Sequence, residues 1–166
     1  MTTQRVAYTA PGKLTLETVD GAAAAPPPGQ VSVDVAYTGI CGTDLHIFHG
    51  AMDARVDPPC VIGHEMSGRV AAVAPDVTGW QAGDPVTVMP LVPCGQCPAC
   101  RSGHGHICHR LVFLGIDATG SLQSRWTVPA ETLVRLPDGL RLDHAALTEP
   151  TAVAVHDVRR ARLQPG

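Results

Sequence analysis

Cys94-Gly95-Gln96-Cys97-Pro98-Ala99-Cys100-Arg101-Ser102-Gly103-His104-Gly105-His106-Ile107-Cys108 holds four of the chain's six cysteines, in the pattern Cys-x2-Cys-x2-Cys-x7-Cys. Cysteines that staple a small secreted fold are spread out to join distant loops, whereas clustered ones converge on a metal. Zinc takes four thiolates at tetrahedral corners, with Zn–S distances of about 2.3 Å. Two-residue gaps let one tight loop present successive sulfurs to a single point, and Gly95, Pro98, Gly103 and Gly105 supply the turns. Four sulfurs close the shell, so zinc held here would be structural. The rival occupant is an iron–sulfur cluster, but bacterial ferredoxin motifs end Cys-x3-Cys-Pro. Here the last gap is seven residues and His109 follows Cys108.

Outward from this lobe, the chain reads as strands. Lys13–Glu17 alternates apolar and polar residues, and so does 31–37, which places Val31, Val33, Val35 and Tyr37 on one face. Ala22–Pro28 is an Ala/Pro loop. Thr43 or Asp44 is suited to cap a short helical turn carrying His46 and Phe48. Strands are expected at 67–74 and 85–89, joined through Pro75-Asp76 and Gly83-Asp84, then at 111–116, 122–128 and 134–136. The period then changes. Asp143 can cap 145–147, Pro150 fits the first turn of a following helix, and Pro165-Gly166 is a stop signal. The expectation is a barrel or sandwich dominated by β-structure, with a helical tail.

Composition agrees and excludes several functions. The 166 residues fit one domain with a core of its own. Charged residues are 16% of the chain, against about 25% in soluble domains generally. Aromatics are 4%, so aliphatic side chains must build the core, and 17 Gly with 15 Pro imply many turns. A net charge of -3 and scarce aromatics speak against a zinc-ribbon nucleic-acid binder. No run of roughly 18 apolar residues is present to span a membrane. The first thirty residues lack the apolar stretch of a signal peptide, so a cytoplasmic location is expected.

A second, open metal site is suggested by Cys41 and by Gly63-His64-Glu65, with Glu149 as a further candidate. Adjacent His and Glu in a Gly-flanked turn can both reach one metal. Cys, His and carboxylate together make a catalytic zinc set that leaves one position for water or substrate. In Cys41-Gly42-Thr43-Asp44-Leu45-His46, a hydroxyl two residues past a thiolate ligand can reach an oxygen held at that metal. A histidine three residues on can pass the proton to solvent. A plain helix cap is an equally good reading of Thr43. Cys60 is assigned no role beyond packing.

With these motifs in order, the chain resembles the catalytic, GroES-like half of zinc-dependent medium-chain alcohol dehydrogenases. The resemblance rests on Gly39-Ile40-Cys41-Gly42-Thr43-Asp44-Leu45-His46, Gly63-His64-Glu65-Met66-Ser67-Gly68, the four-cysteine lobe and Leu147-Thr148-Glu149-Pro150. It covers essentially the whole chain. It implies a mainly β (α+β) fold, a GroES-like partly open β-barrel with a zinc lobe at 93–109 and a C-terminal helical segment, residues 1–166 forming one catalytic domain. It implies that Cys94, Cys97, Cys100 and Cys108 hold a structural zinc, that Cys41, His64 and Glu65 are ligands of a catalytic zinc, and that Thr43 and His46 form a proton relay. Glu149 stands where liver-type enzymes have Cys and is more like the polyol, butanediol and threonine dehydrogenase branches, where it is an exchangeable ligand or a proton-transfer aid. Ala74 replaces a usual Gly, and Gly83-Asp84-Pro85 lacks the usual basic residue after Gly-Asp. Neither departure touches a ligand.

The function so implied is oxidation of an alcohol, polyol or hydroxy-amino acid by NAD or NADP, in an enzyme that is homo-oligomeric at full length. The Gly-x-Gly-x-x-Gly turn that would cradle the cofactor's pyrophosphate is absent from these residues. A Rossmann domain is therefore expected to lie outside the sequence, and the chain alone is expected to be inactive. The alternative is a non-catalytic, zinc-stabilised binding module left after loss of the cofactor domain.

Overall fold

The computed structural model describes residues 2–20 and 25–162; the first part of the Ala/Pro loop and the Pro165-Gly166 stop lie outside them. The elements in chain order are β1 (Thr2–Ala10), β2 (Lys13–Asp20), β3 (Gln30–Thr38), α1 (Gly42–Phe48), β4 (Cys60–Val61), β5 (Met66–Val73), β6 (Pro85–Val88) and β7 (Leu91–Val92). They continue with α2 (Pro98–Arg101), β8 (Val112–Phe113), β9 (Arg125–Pro129), β10 (Leu133–Arg135), α3 (Leu142–Ala145) and α4 (Thr148–Ala161). The strands form three antiparallel sheets, ordered β2-β1-β4, β10-β6-β5-β3-β9 and β7-β8. A bridge between Arg5 and Gln123 links the first sheet to the segment entering β9. The result is the mainly β, partly open barrel expected from the sequence.

Aliphatic packing builds the main core, as the low aromatic content requires. Val31, Val33, Met66, Val70, Val86, Val88 and Val128 surround Trp126, which is fully buried. The indole N–H of Trp126 donates to the Thr119 carbonyl at 3.0 Å, so the one large aromatic of this core buries no unpaired donor. A second, smaller cluster of Tyr8, Ile47, Val56, Ile62 and Ile116 clamps α1 against β1 and β4. It places the start of α1 near the turn that follows β4.

Several local readings are corrected. The alternation along β3 holds for Val31, Val33 and Val35, which lie in or against the main core, and fails at Tyr37, past a register shift against β5 between Val35 and Tyr37. That shift adds Ala36 to β3 and turns the side chain after it to the other face. Tyr37 is consequently turned out to solvent; Ser32, on the face opposite the valines, is buried as well and shares a 2.9 Å hydrogen bond with the Thr127 hydroxyl. The strands expected at 111–116 and 122–128 shrink to β8 and β9, which pair with β7 and β3 respectively. Gly115, at φ +90°, turns the chain off β8 into a loop whose amides bond elsewhere. The N–H groups of Gly120, Ser121 and Leu122 donate to the carbonyls of Val61, Gly63 and Ile62. The cap of α1 is Cys41, not Thr43 or Asp44, and the cap of α3 is Arg141, not Asp143.

Trp126 is the aromatic centre of the main core, and its removal is measurable. Trp126→Ala should cost about 3–5 kcal/mol in urea denaturation, by lost transfer energy and the cavity left behind. Leu16→Ala, at a side chain 64% exposed, should stay within about 0.5 kcal/mol of the parent.

Candidate metal centres

The cysteine lobe is shaped by its turns. Gly95 and Gly103 take positive φ, Cys97 caps α2 with Pro98 in its first turn, and a 3-10 turn at Gly105–Ile107 delivers Cys108. All four sulfurs lie within 4.8 Å of one another, and all four thiols are free. Sγ separations are 3.4 Å for Cys97–Cys100, 3.8 Å for Cys97–Cys108 and 4.0 Å for Cys94–Cys100. A tetrahedron of thiolates around zinc has edges of about 3.8 Å, so the arrangement fits that ion.

Main-chain amides favour the charged sulfurs. The N–H groups of Gln96 and Cys97 pull the Cys94 thiol down to about 5, and those of Cys100 and His109 also lower Cys97. Both Cys94 N–H and Arg110 N–H donate to Cys108 Sγ at 3.3 Å. Cys100 is pushed up to about 12 by burial and then by the neighbouring sulfurs. Four like charges so close repel one another, and a central dication removes that repulsion.

The second centre joins two separate segments. The chain leaves β3, passes Gly39 and Ile40, and caps α1 with Cys41. The other segment leaves β4, turns at Gly63 (φ +94°) and presents His64 and Glu65 before β5. Cys41, His64 and Glu65 each offer one donor atom, and these lie within 4.8 Å of one another. His64 is buried, and its Nδ1 has no hydrogen-bond partner. An unpartnered buried polar atom is costly unless something binds there. The Phe113 ring meets the His64 imidazole edge-on at 5.1 Å and helps fix its plane. Donor types, convergence and the orphaned nitrogen fit a zinc ion with an open position.

Asp44, a cap candidate by its sequence position, has a larger part in the structure. Its carboxylate, 2% exposed, accepts from Cys41 N–H at 2.9 Å and from Gly63 N–H at 3.1 Å. It thus ties both ligand-bearing segments together. An acid three residues after a helix cap is the visible signal for the first bond; the second depends on the tertiary fold. Thr43 lies in the first turn of α1 and His46 in the last, one helical step apart on the same side. Glu149 lies at the start of α4, outside the group of converging donors. Burial raises its carboxyl above the usual range; the charge of His64 opposes this and that of Glu65 adds to it. Glu149 and Phe113 also line a mostly apolar cleft of about 570 Å³ between α4, β6, β7 and the lobe. The cleft therefore adjoins the second centre.

The partly open barrel thus carries two groups of side chains whose donor atoms converge as metal ligands do. Residues 27–138 match the alcohol dehydrogenase GroES-like domain. The chain is 53% identical to 2-dehydro-3-deoxy-L-galactonate 5-dehydrogenase of Pseudoalteromonas atlantica over 155 residues, 93% of this chain and 46% of that protein. It is 40% identical to a probable D-xylulose reductase A of Emericella nidulans over 142 residues, 84% of this chain and 40% of that protein. The cobalt- and zinc-bound thermostable alcohol dehydrogenase of Pyrobaculum aerophilum superposes with a TM-score of 0.88 at 30% identity, over 100% of this chain and 50% of that one. The chain belongs to the GroES-like domain family of the zinc-dependent medium-chain alcohol dehydrogenases. It spans less than half the length of these two curated relatives.

The two centres should respond differently to loss of a ligand. Cys100→Ser opens a closed shell whose metal contributes folding free energy directly, so thermal stability should fall sharply. His64→Ala should release one equivalent of zinc with a much smaller melting shift. Elemental analysis beside calorimetry checks both, and equal shifts would contradict the division. Asp44→Ala strands two amides and should cost about 1–3 kcal/mol, together with zinc from the second centre alone.

Proposed function

We propose that these residues form the zinc-binding catalytic part of a dehydrogenase that oxidises an alcohol, polyol or related hydroxy compound with NAD or NADP. The observation that carries the reading is the convergence of Cys41, His64 and Glu65, with a nitrogen of His64 left free, beside a cleft holding Glu149. Cys41, His64 and Glu65 would hold the catalytic zinc, and Cys94, Cys97, Cys100 and Cys108 the structural one. Zinc bound at an open site acts as a Lewis acid and lowers the pKa of a coordinated hydroxyl.

The chain's own residues do the rest. Thr43 Oγ1 accepts the substrate's hydroxyl proton and gives its own toward His46, whose exposed imidazole passes one to solvent. Glu149, whose carboxyl burial raises above the usual carboxylate range, is a further acid–base group beside the same place. The cleft walls around this place are mostly apolar. Thr87 and Thr148 line the cleft too, but their hydroxyls are spent on the carbonyls of Met66 and Ala145. The polar groups left for the rest of a substrate are Glu149, His106 and His156. Such groups suit a molecule with several oxygens, in keeping with the sugar acid and the pentulose named for the two relatives.

The nicotinamide cofactor is assigned to sequence outside these residues, because they contain no Gly-x-Gly-x-x-Gly turn. A cytoplasmic setting, where thiols stay reduced, suits both ligand sets. Among the described residues no helix is long and apolar enough to cross a membrane.

The 166-residue chain alone should not bind NADH in a fluorescence titration and should not oxidise alcohols. Fused through its C-terminus to a cofactor domain of a relative, it should turn over polyols or sugar acids. In that protein Thr43→Ala should lower kcat by roughly 10²–10⁴-fold, and Glu149→Ala should lower it as well. Saturable NADH binding by the bare chain would contradict the assignment of the cofactor elsewhere.

A further inference from the structure

We infer that Gly39 is a positioning residue for the second metal centre: the space left by its missing side chain is where the Glu65 carboxylate lies, and a side chain at residue 39 would turn that carboxylate away from Cys41 and His64. The inference rests on the dehydrogenase reading of that centre.

Gly39 is not required by its backbone. Its φ lies outside the left-handed region that forces glycine at Gly63 or Gly115, so alanine can adopt the same conformation. What reserves the position is what runs over it. Gly39 N–H donates to the Glu65 carbonyl at 2.6 Å, which holds the two backbones side by side. A Cβ built on Gly39 would fall well inside contact distance of Glu65 Oε2. It would also sit 3.1 Å from Glu65 Cβ and 3.5 Å from Cδ. Only hydrogen at residue 39 lets the Glu65 side chain reach its present place among the converging donors, a group that does not include Glu149.

The nature of the clash decides its consequence. The closest atom is the tip of a flexible side chain, so rotating Glu65 away relieves most of it and leaves the fold standing. Glycines nearby behave otherwise. A Cβ on Gly120 would strike the carbonyls of Ile62 and Gly63, backbone that cannot move without moving the His64 turn. A Cβ on Gly42 would meet nothing within 4 Å. Thus Gly42 is sterically free, Gly120 protects the fold, and Gly39 protects the direction of one ligand.

The test is a zinc titration against a chromophoric chelator, with circular dichroism and melting curves, on the 166-residue chain. It compares the parent with Gly39→Ala, Gly42→Ala, Glu65→Ala and the double variant Gly39→Ala/Glu65→Ala. The parent should bind two equivalents. Gly39→Ala should keep its secondary structure and the lobe's zinc, but bind the second equivalent roughly 10–100-fold more weakly, as when a ligand's support is removed. Gly42→Ala should match the parent. Adding Gly39→Ala to Glu65→Ala should weaken zinc no further, because both act through one carboxylate. Cobalt in the second site should show a visible band that Gly39→Ala shifts and Gly42→Ala does not. A parent that binds one equivalent overturns the functional reading and this inference with it. A parent that binds two while Gly39→Ala binds like it overturns the inference alone, and so does a further loss in the double variant. If Gly39→Ala fails to fold, a folded double variant places the clash on Glu65 and supports the inference, whereas an unfolded one overturns it.

Discussion

The second metal centre depends on one buried carboxylate. Asp44 is almost sealed from water, and taking a charge out of water is expensive unless it is compensated. Here the compensation is two main-chain N–H donors, from Cys41 and Gly63, together with the amide-rich start of α1. Because the donors belong to different segments, satisfying the charge brings the segments together. The cap of α1 and the turn before β5 thereby acquire a fixed relation, and the thiol, imidazole and carboxylate they carry converge.

Other contacts hold this knot from outside. Ile47 and Ile62, one from each segment, are buried in the same small core with Tyr8. The loop after Gly115 pairs its amides with residues 61–63, and Thr38 reaches Ser121 with its hydroxyl. Close approach there is possible because Gly115 and Gly120 carry no side chains against the Gly63 carbonyl. The lobe is organised differently. Its four sulfurs come from one short stretch of chain, so local turns suffice to bring them together. One centre is therefore dictated by local sequence and the other by the tertiary fold.

That difference explains what could be read in advance. The lobe was legible as spacing, because its geometry is made of adjacent turns. The ligand motifs around Cys41 and His64 were legible as residue types, and their family resemblance supplied their pairing. The strands were legible where alternation is strict, as in β2, and misread where a bulge breaks it, as between Val35 and Tyr37. A bulge leaves no mark in a hydrophobic pattern, since it is set by the partner strand. The role of Asp44 was half visible: a capping position shows in sequence, a bond to Gly63 does not. Glu149 could be placed at a helix start, but its offset from the three converging donors is a tertiary fact.

The central claim is that this domain carries two zinc centres of unlike construction, one closed by four sulfurs and one open at Cys41, His64 and Glu65. Anomalous difference density at the zinc edge, from crystals of the chain purified without chelator and supplied with zinc, tests it directly. The account predicts two peaks, one within the four-cysteine lobe and one bounded by the Cys41 sulfur, the His64 imidazole and the Glu65 carboxylate. A single peak in the lobe, or a second peak away from those three side chains, would contradict it.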